Sequence, residues 1–229
     1  MKGQCGCCAA PVAASKDKVL EQIHNEWLIP VIRAESAAEA EKIVDALLAG
    51  GVKIVEITFS CPDAPGIIRK LVSRNIPGLL VGAGTVLSKE DAARAIDAGA
   101  AFVLAPNTNP EVVAEAKKRG VPVMPGAFTP TEIEYAHRLG ADAVKVFPAE
   151  FFGAKYLKTL AGPMPHVKII PTGGVSLENL KEWRDAKAFA VGVGGNLVDK
   201  AAIKKGEFAK ITETAKKFVE AIRQVKAQK

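Results

Sequence analysis

Short apolar, β-branched runs return along this chain about every 20 to 27 residues. They lie at Leu28–Arg33, Val52–Thr58, Leu79–Gly82, Ala101–Ala105, Val121–Pro125, Asp142–Phe147, Val167–Pro171 and Ala188–Val193. Between them apolar residues fall three and four apart, as at Ala40, Ile43, Val44, Leu47 and Leu48, the stripe of an amphipathic helix. A helix between every two strands brings the chain back to the same end of the sheet, so neighbouring strands pair in parallel.

The punctuation agrees with the rhythm. Gly50–Gly51, Gly99, Gly120 and Gly140 stand just before strands, where a helix must stop. Ser36-x-x-Glu39 and Thr129-x-x-Glu132 read as capping boxes, the second with Pro130 at the first helical position. Ser88, Asn109 and Ser176 read as further caps. Eight strands with eight helices predict an α/β chain folded as a (β/α)8 TIM barrel over residues 15–229. The competing architecture is an open doubly wound sheet, but no G-x-G-x-x-G follows the first strand. Lys16–Glu26 predicts an extra helix that covers the N-terminal end of the barrel. The stripe Phe208, Ile211, Ala215, Phe218, Ile222 and Val225 predicts a last helix packed on the barrel wall.

Composition narrows the partners. Hydrophobic residues are 48% and charged residues 24%, as in an ordinary soluble globular protein. No apolar run reaches the roughly 18 residues of a membrane span, and no signal-peptide core is present, so no membrane partner and a cytoplasmic location are expected. The three histidines are dispersed, and no metal or other cofactor is expected. The formal net charge of +6 suits an anionic substrate. Nucleic-acid motifs are absent, and the lysines from Lys200 to Lys229 read as a solvated helix face, so no nucleic-acid partner is expected. Cys5, Cys7 and Cys8 crowd a stretch, residues 1–14, that reads as a flexible tail. Their C-x-x-C spacing has no second pair to complete a zinc site.

In a barrel, chemistry gathers at the C-terminal ends of the strands. Glu56 shares a strand face with Val52 and Ile54, and Lys145 shares one with Ala143 and Phe147. If both faces look inward, a carboxylate and an amine meet in an apolar interior. Burial disfavours the charged amine, the carboxylate favours it, and the neutral form attacks carbonyls. A purely structural ion pair is the competing reading. Lys53 and Lys168 start their strands and read as solvated rim residues. Thr172-Gly173-Gly174 and Gly194-Gly195 end the last two strands, the usual place of a barrel phosphate site. Thr85 is a candidate donor to a carboxylate, or else a cap or turn residue. Arg33 is a candidate carboxylate clamp, or else a rim ion pair with Glu35. Cys61 has no histidine to activate it.

Four motifs carry a family resemblance: Val55-Glu56-Ile57-Thr58, Gly82-Ala83-Gly84-Thr85-Val86-Leu87, Val144-Lys145-Val146-Phe147-Pro148-Ala149-Glu150 and Pro171-Thr172-Gly173-Gly174-Val175. From about Ile29 onward the chain resembles the 2-keto-3-deoxy-6-phosphogluconate (KDPG)/4-hydroxy-2-oxoglutarate (KHG) aldolases. The resemblance implies a metal-free, homotrimeric class I aldolase of the Entner–Doudoroff or a related sugar-acid route, acting on a phosphorylated keto acid. It implies Lys145 as the Schiff-base lysine, Glu56 as the general acid/base and Thr85 as a pyruvate contact. Gly173, Gly174, Gly194 and Gly195 would surround the phosphate. Many relatives carry arginine where Ser60 stands, with Arg33 as the substitute positive charge, and serine or alanine where Asn196 stands. Pro106, Phe147 and Thr172, also at strand ends, complete the expected substrate contacts. A phosphogalactonate-type aldolase, a phosphate-binding isomerase or epimerase, and a non-catalytic oligomeric scaffold are the competing functions.

Overall fold

The computed structural model describes residues 15–227. The expected tail, with Cys5, Cys7 and Cys8, lies outside the described residues. Helix α1 (Lys16–Glu26) leads into β1 (Leu28–Ile32), α2 (Ala37–Ala49), β2 (Ile54–Thr58), α3 (Ala64–Ser73), β3 (Leu80–Gly84), α4 (Lys89–Asp97), β4 (Val103–Leu104) and α5 (Pro110–Lys118). There follow β5 (Val123–Met124), β6 (Gly126–Ala127), α6 (Pro130–Leu139), β7 (Val144–Val146), α7 (Gly153–Leu160), β8 (Ile169–Pro171), α8 (Leu180–Asp185), β9 (Val191–Val193), α9 (Lys200–Lys204) and α10 (Phe208–Ala227).

Among the described residues, the expected eight strands are observed as nine, in two parallel sheets rather than one. Six strands curl in the order β5-β4-β3-β2-β1-β9, and three run β6-β7-β8. Pro125 divides the fifth stave. It has no N–H to give, so β5 pairs with β4 and β6 with β7. Hydrogen bonds cross both seams. Asp142 N–H reaches the Val123 carbonyl at 3.0 Å and Lys145 N–H the Pro125 carbonyl at 2.9 Å. On the other side Phe189 N–H reaches the Ile169 carbonyl at 2.8 Å, and Thr172 bridges Gly192.

Helix starts follow the caps. Ser36, Ser88, Asn109 and Thr129 each accept a backbone N–H of the first turn. Thr129–Glu132 is a complete capping box, and the Thr129 and Phe128 amides hold the Glu132 carboxyl below its ordinary range. Ser36–Glu39 is only half a box, because Glu39 turns to the Glu35 amide instead. Gly140 ends α6 in the left-handed conformation, φ 96°.

Helix α1 lies against the N-terminal ends of the strands. Its Lys16 pairs with Asp142 at 2.7 Å, Gln22 donates to the Gly78 carbonyl at 2.6 Å, and Glu26 pairs with Lys53 at 3.4 Å. Trp27, fully buried, donates its indole N–H to the Ala188 carbonyl. Along α10, Ile211, Ala215, Phe218 and Ile222 are buried, each large one stabilising the fold by roughly 1.5–3 kcal/mol. Lys200, Lys204, Lys205, Lys210, Lys216 and Lys217 are exposed as expected. Lys226 departs from that pattern. It is half-buried, donates to the His24 and Asn25 carbonyls at the end of α1, and burial pushes its amine below the ordinary lysine range. Among the described residues, no helix is long and apolar enough to cross a membrane.

Candidate active site

A cavity of about 500 Å³ opens at the C-terminal ends of the strands. Arg33, Ser60, Thr85, Pro106, Lys145 and Phe147 line one part of it. Thr172, Gly173, Gly174, Gly194, Gly195 and Asn196 line the rest. Residues that end different strands therefore converge on one space, because parallel pairing puts all those ends on one side.

Lys145 and Glu56 meet as their strand faces predict. Lys145 is 5% exposed and Glu56 1%. Lys145 Nζ lies 3.7 Å from Glu56 Oε1, too long for a good hydrogen bond but close enough for charge to be felt. Two buried side-chain atoms among the described residues make no hydrogen bond: Glu56 Oε1 and Thr172 Oγ1. Buried polar atoms normally find partners, so the pair stands where an additional polar group can be received. Neighbouring glycines make the room. A Cβ on Gly84 would overlap the Glu56 carboxylate, and one on Gly192 would overlap the Thr172 hydroxyl. Phe147 presents its ring 5.6 Å from Lys145 Nζ.

The other lysines differ. Lys53 and Lys168 are exposed at the opposite rim, where Lys53 pairs with Glu26 and Lys168 lies over the Phe189 ring. Cys61 is buried outside the cavity, its sulfur accepting the Ala34 N–H. Thr85 is not the helix cap, since Ser88 caps α4; it sits in the left-handed region at φ 56° and faces the cavity. Such backbone settings in a non-glycine residue cost about 1–3 kcal/mol and cluster at functional sites. Arg33 is exposed and pairs with no carboxylate among the described residues, so the competing rim pair with Glu35 is not formed.

The two glycine loops face each other. Gly173 and Gly174 take φ of 97° and 70°, a region side chains disfavour. At Gly194 and Gly195 an added Cβ would meet nothing within 4 Å, so the missing side chains leave open cavity. Asn196 Nδ2 donates to the Val175 carbonyl at 2.8 Å and ties the loops together. Sequence reasoning missed Val31, Glu150, Val175 and Gly192 in the lining. Glu150 stands inside the Lys145 motif and abuts Gly174, so motif proximity was the available signal.

With that geometry in place, the likeness to known proteins is specific. The aldolase family described as KDPG and KHG aldolase matches residues 19–214. The chain is 36% identical over 206 residues to the 2-dehydro-3-deoxy-phosphogluconate aldolase of Treponema pallidum (strain Nichols), covering 89% of this chain and 97% of that one. The KDPG aldolase of Legionella pneumophila, solved with pyruvate captured as a covalent carbinolamine intermediate, superposes with a TM-score of 0.79 at 31% identity, covering 86% of this chain and 96% of that one. A cube-shaped protein cage, designed by fusing symmetric oligomeric domains, gives a TM-score of 0.79 at 32% identity, over 88% of this chain and 73% of that one.

Proposed function

The chain belongs to the KDPG and KHG aldolase family, and from that premise we propose that it is a class I aldolase with Lys145 as its Schiff-base residue. It cleaves 2-dehydro-3-deoxy-6-phosphogluconate to pyruvate and glyceraldehyde 3-phosphate, and 4-hydroxy-2-oxoglutarate to pyruvate and glyoxylate. One observation carries the reading. A nearly buried amine faces a buried carboxylate oxygen that has no hydrogen bond, at the wall of a cavity large enough for a sugar acid.

The neutral Lys145 amine attacks the C2 ketone, and the new C–N bond forms as the carbonyl oxygen takes a proton. Glu56 shuttles protons through carbinolamine formation and loss of water. It then accepts the proton of the C4 hydroxyl, directly or through one water. The C3–C4 bond breaks, its electron pair enters the iminium, and the aldehyde leaves. Protonation of the enamine and attack by water release pyruvate and return the amine. Arg33 supplies charge for the carboxylate, and Thr85 touches the pyruvate portion. The loops of Gly173, Gly174, Gly194, Gly195 and Asn196 offer backbone N–H groups to the phosphate. Pro106, Phe147 and Thr172 wall the space between.

The same reading joins the two sheets into one closed barrel of eight staves and makes the enzyme a cytoplasmic homotrimer. Bonds across both seams support the closure. An aromatic patch supports a subunit contact: Phe151 is 73% exposed, and the half-exposed Phe152 ring stacks on Phe128 and lies tilted against Tyr156. The test is chemical. Pyruvate with borohydride should leave a stable adduct of about 72 Da, pyruvate joined, water lost and two hydrogens gained, on the Lys145 peptide. Intact protein with no adduct, or with one elsewhere, overturns the assignment.

A further inference from the structure

Arg33 and Ser60 line the same cavity; Arg33 can only donate, whereas what Ser60 offers a ligand depends on where one proton goes. Thr58, at the end of β2, is fully buried, and its hydroxyl has one proton and two lone pairs. Its Oγ1 lies 2.9 Å from the Ile32 carbonyl oxygen, which can only accept. The other side chain near that carbonyl is the Cys61 thiol, at 3.6 Å, a weak donor. Withholding the Thr58 proton would therefore weaken a buried contact, which is costly where water is excluded. Thr58 gives its proton to Ile32. The Ser60 hydroxyl lies 2.7 Å from Thr58 Oγ1. With the Thr58 proton committed, the Ser60 proton must fill that contact. Ser60 Oγ then turns only lone pairs toward the cavity.

A pure acceptor selects its ligand. An ionised carboxylate, a ketone and a phosphate dianion have no proton to offer it. On a 2-keto-3-deoxy sugar acid, the groups that donate are the hydroxyls. We propose that Ser60 is a specificity residue that accepts a hydrogen bond from a substrate hydroxyl, on the portion that leaves as aldehyde, and does not hold the keto-acid carboxylate. The proposal rests on the aldolase reading above. It makes the Thr58–Ser60 pair a filter for hydroxylated keto acids and leaves the carboxylate to Arg33, the exposed cation of the cavity lining.

The test compares a ligand without the hydroxyl and one with it. Pyruvate has none. In Ser60→Ala, the pyruvate concentration that half-saturates borohydride trapping on Lys145 should stay within about two-fold, while kcat/KM for cleavage of 2-dehydro-3-deoxy-6-phosphogluconate falls about five-fold, the worth of one neutral hydrogen bond. Thr58→Val frees the Ser60 proton but leaves its lone pairs, so Ser60 can then donate as well as accept: keto-acid cleavage should fall by less than in Ser60→Ala, with pyruvate saturation no weaker. Ser60→Thr restores the hydroxyl and should recover most of the kcat/KM that Ser60→Ala loses, which keeps the test decisive if Thr58→Val fails to fold. Equal weakening for pyruvate and keto acid would show that Ser60 holds the carboxylate and overturn the proposal. So would no change in either. Failure of the unaltered enzyme to trap pyruvate would instead overturn the aldolase reading.

Discussion

The two ends of this fold treat the same residue types in opposite ways. At the N-terminal end, charges are given partners at or near the surface. Lys16 pairs with Asp142, Lys53 with Glu26, and Lys226 with the last carbonyls of α1, while Trp27 seals the middle. At the C-terminal end, a lysine and a glutamate are buried almost completely, and the glutamate oxygen facing the amine makes no hydrogen bond. The second unpartnered atom, Thr172 Oγ1, lies at that end too. One end is built to be finished and the other to be completed by a ligand. Position along a strand, more than residue type, separates an exposed, paired lysine such as Lys53 from the buried Lys145.

The comparison is easiest to break with matched substitutions. Lys145→Met should lower the cleavage rate by about four orders of magnitude or more, since a covalent intermediate can no longer form. Lys53→Met, at the other end, should change it by less than about two-fold. Steady-state kinetics on both variants decides it; comparable losses would erase the distinction between the ends. Glu56→Gln sharpens the contrast within the pair. The rate should drop by about 10²–10⁴-fold, with pyruvate still trapped on Lys145, because the amide keeps the shape and loses the proton shuttle. Trp27→Ala probes the sealed end. It should cost about 3–5 kcal/mol by denaturant unfolding, with activity per folded molecule little changed.

A smaller effect belongs to the α6 cap. Thr129→Ala should cost about 1 kcal/mol at neutral pH. The Glu132 carboxyl sits below its unfolded value, so the stability it adds is fully present above the ordinary carboxylate range and is lost as pH falls through its lowered value. In Glu132→Gln that acid loss should shrink. Melting curves from neutral to acid pH measure it, and parallel curves for the two proteins would contradict the cap assignment.

Much of this was legible because it is local. Alternation along β2 and β7 put Glu56 and Lys145 inside, and the spacing of caps placed four helix starts. What stayed hidden depends on contacts between distant segments. Pro125 splits a stave only because both of its neighbours are parallel strands. Lys226 looked like one more solvated lysine until α10 brought it to the end of α1. The contact that underlies the Ser60 proposal runs through Thr58 to a carbonyl on the neighbouring strand, 26 residues away from Thr58. Glu150 reaches the cavity only because Gly174 folds back against it.

The central claim is that the Lys145 nitrogen condenses with a keto acid, and a crystal of this enzyme soaked in pyruvate tests it most directly. The account requires continuous electron density from Lys145 Nζ to C2 of the bound acid, with Glu56 within hydrogen-bond reach of the adduct. Pyruvate bound without a bond to that nitrogen, or bonded to another lysine, would contradict it.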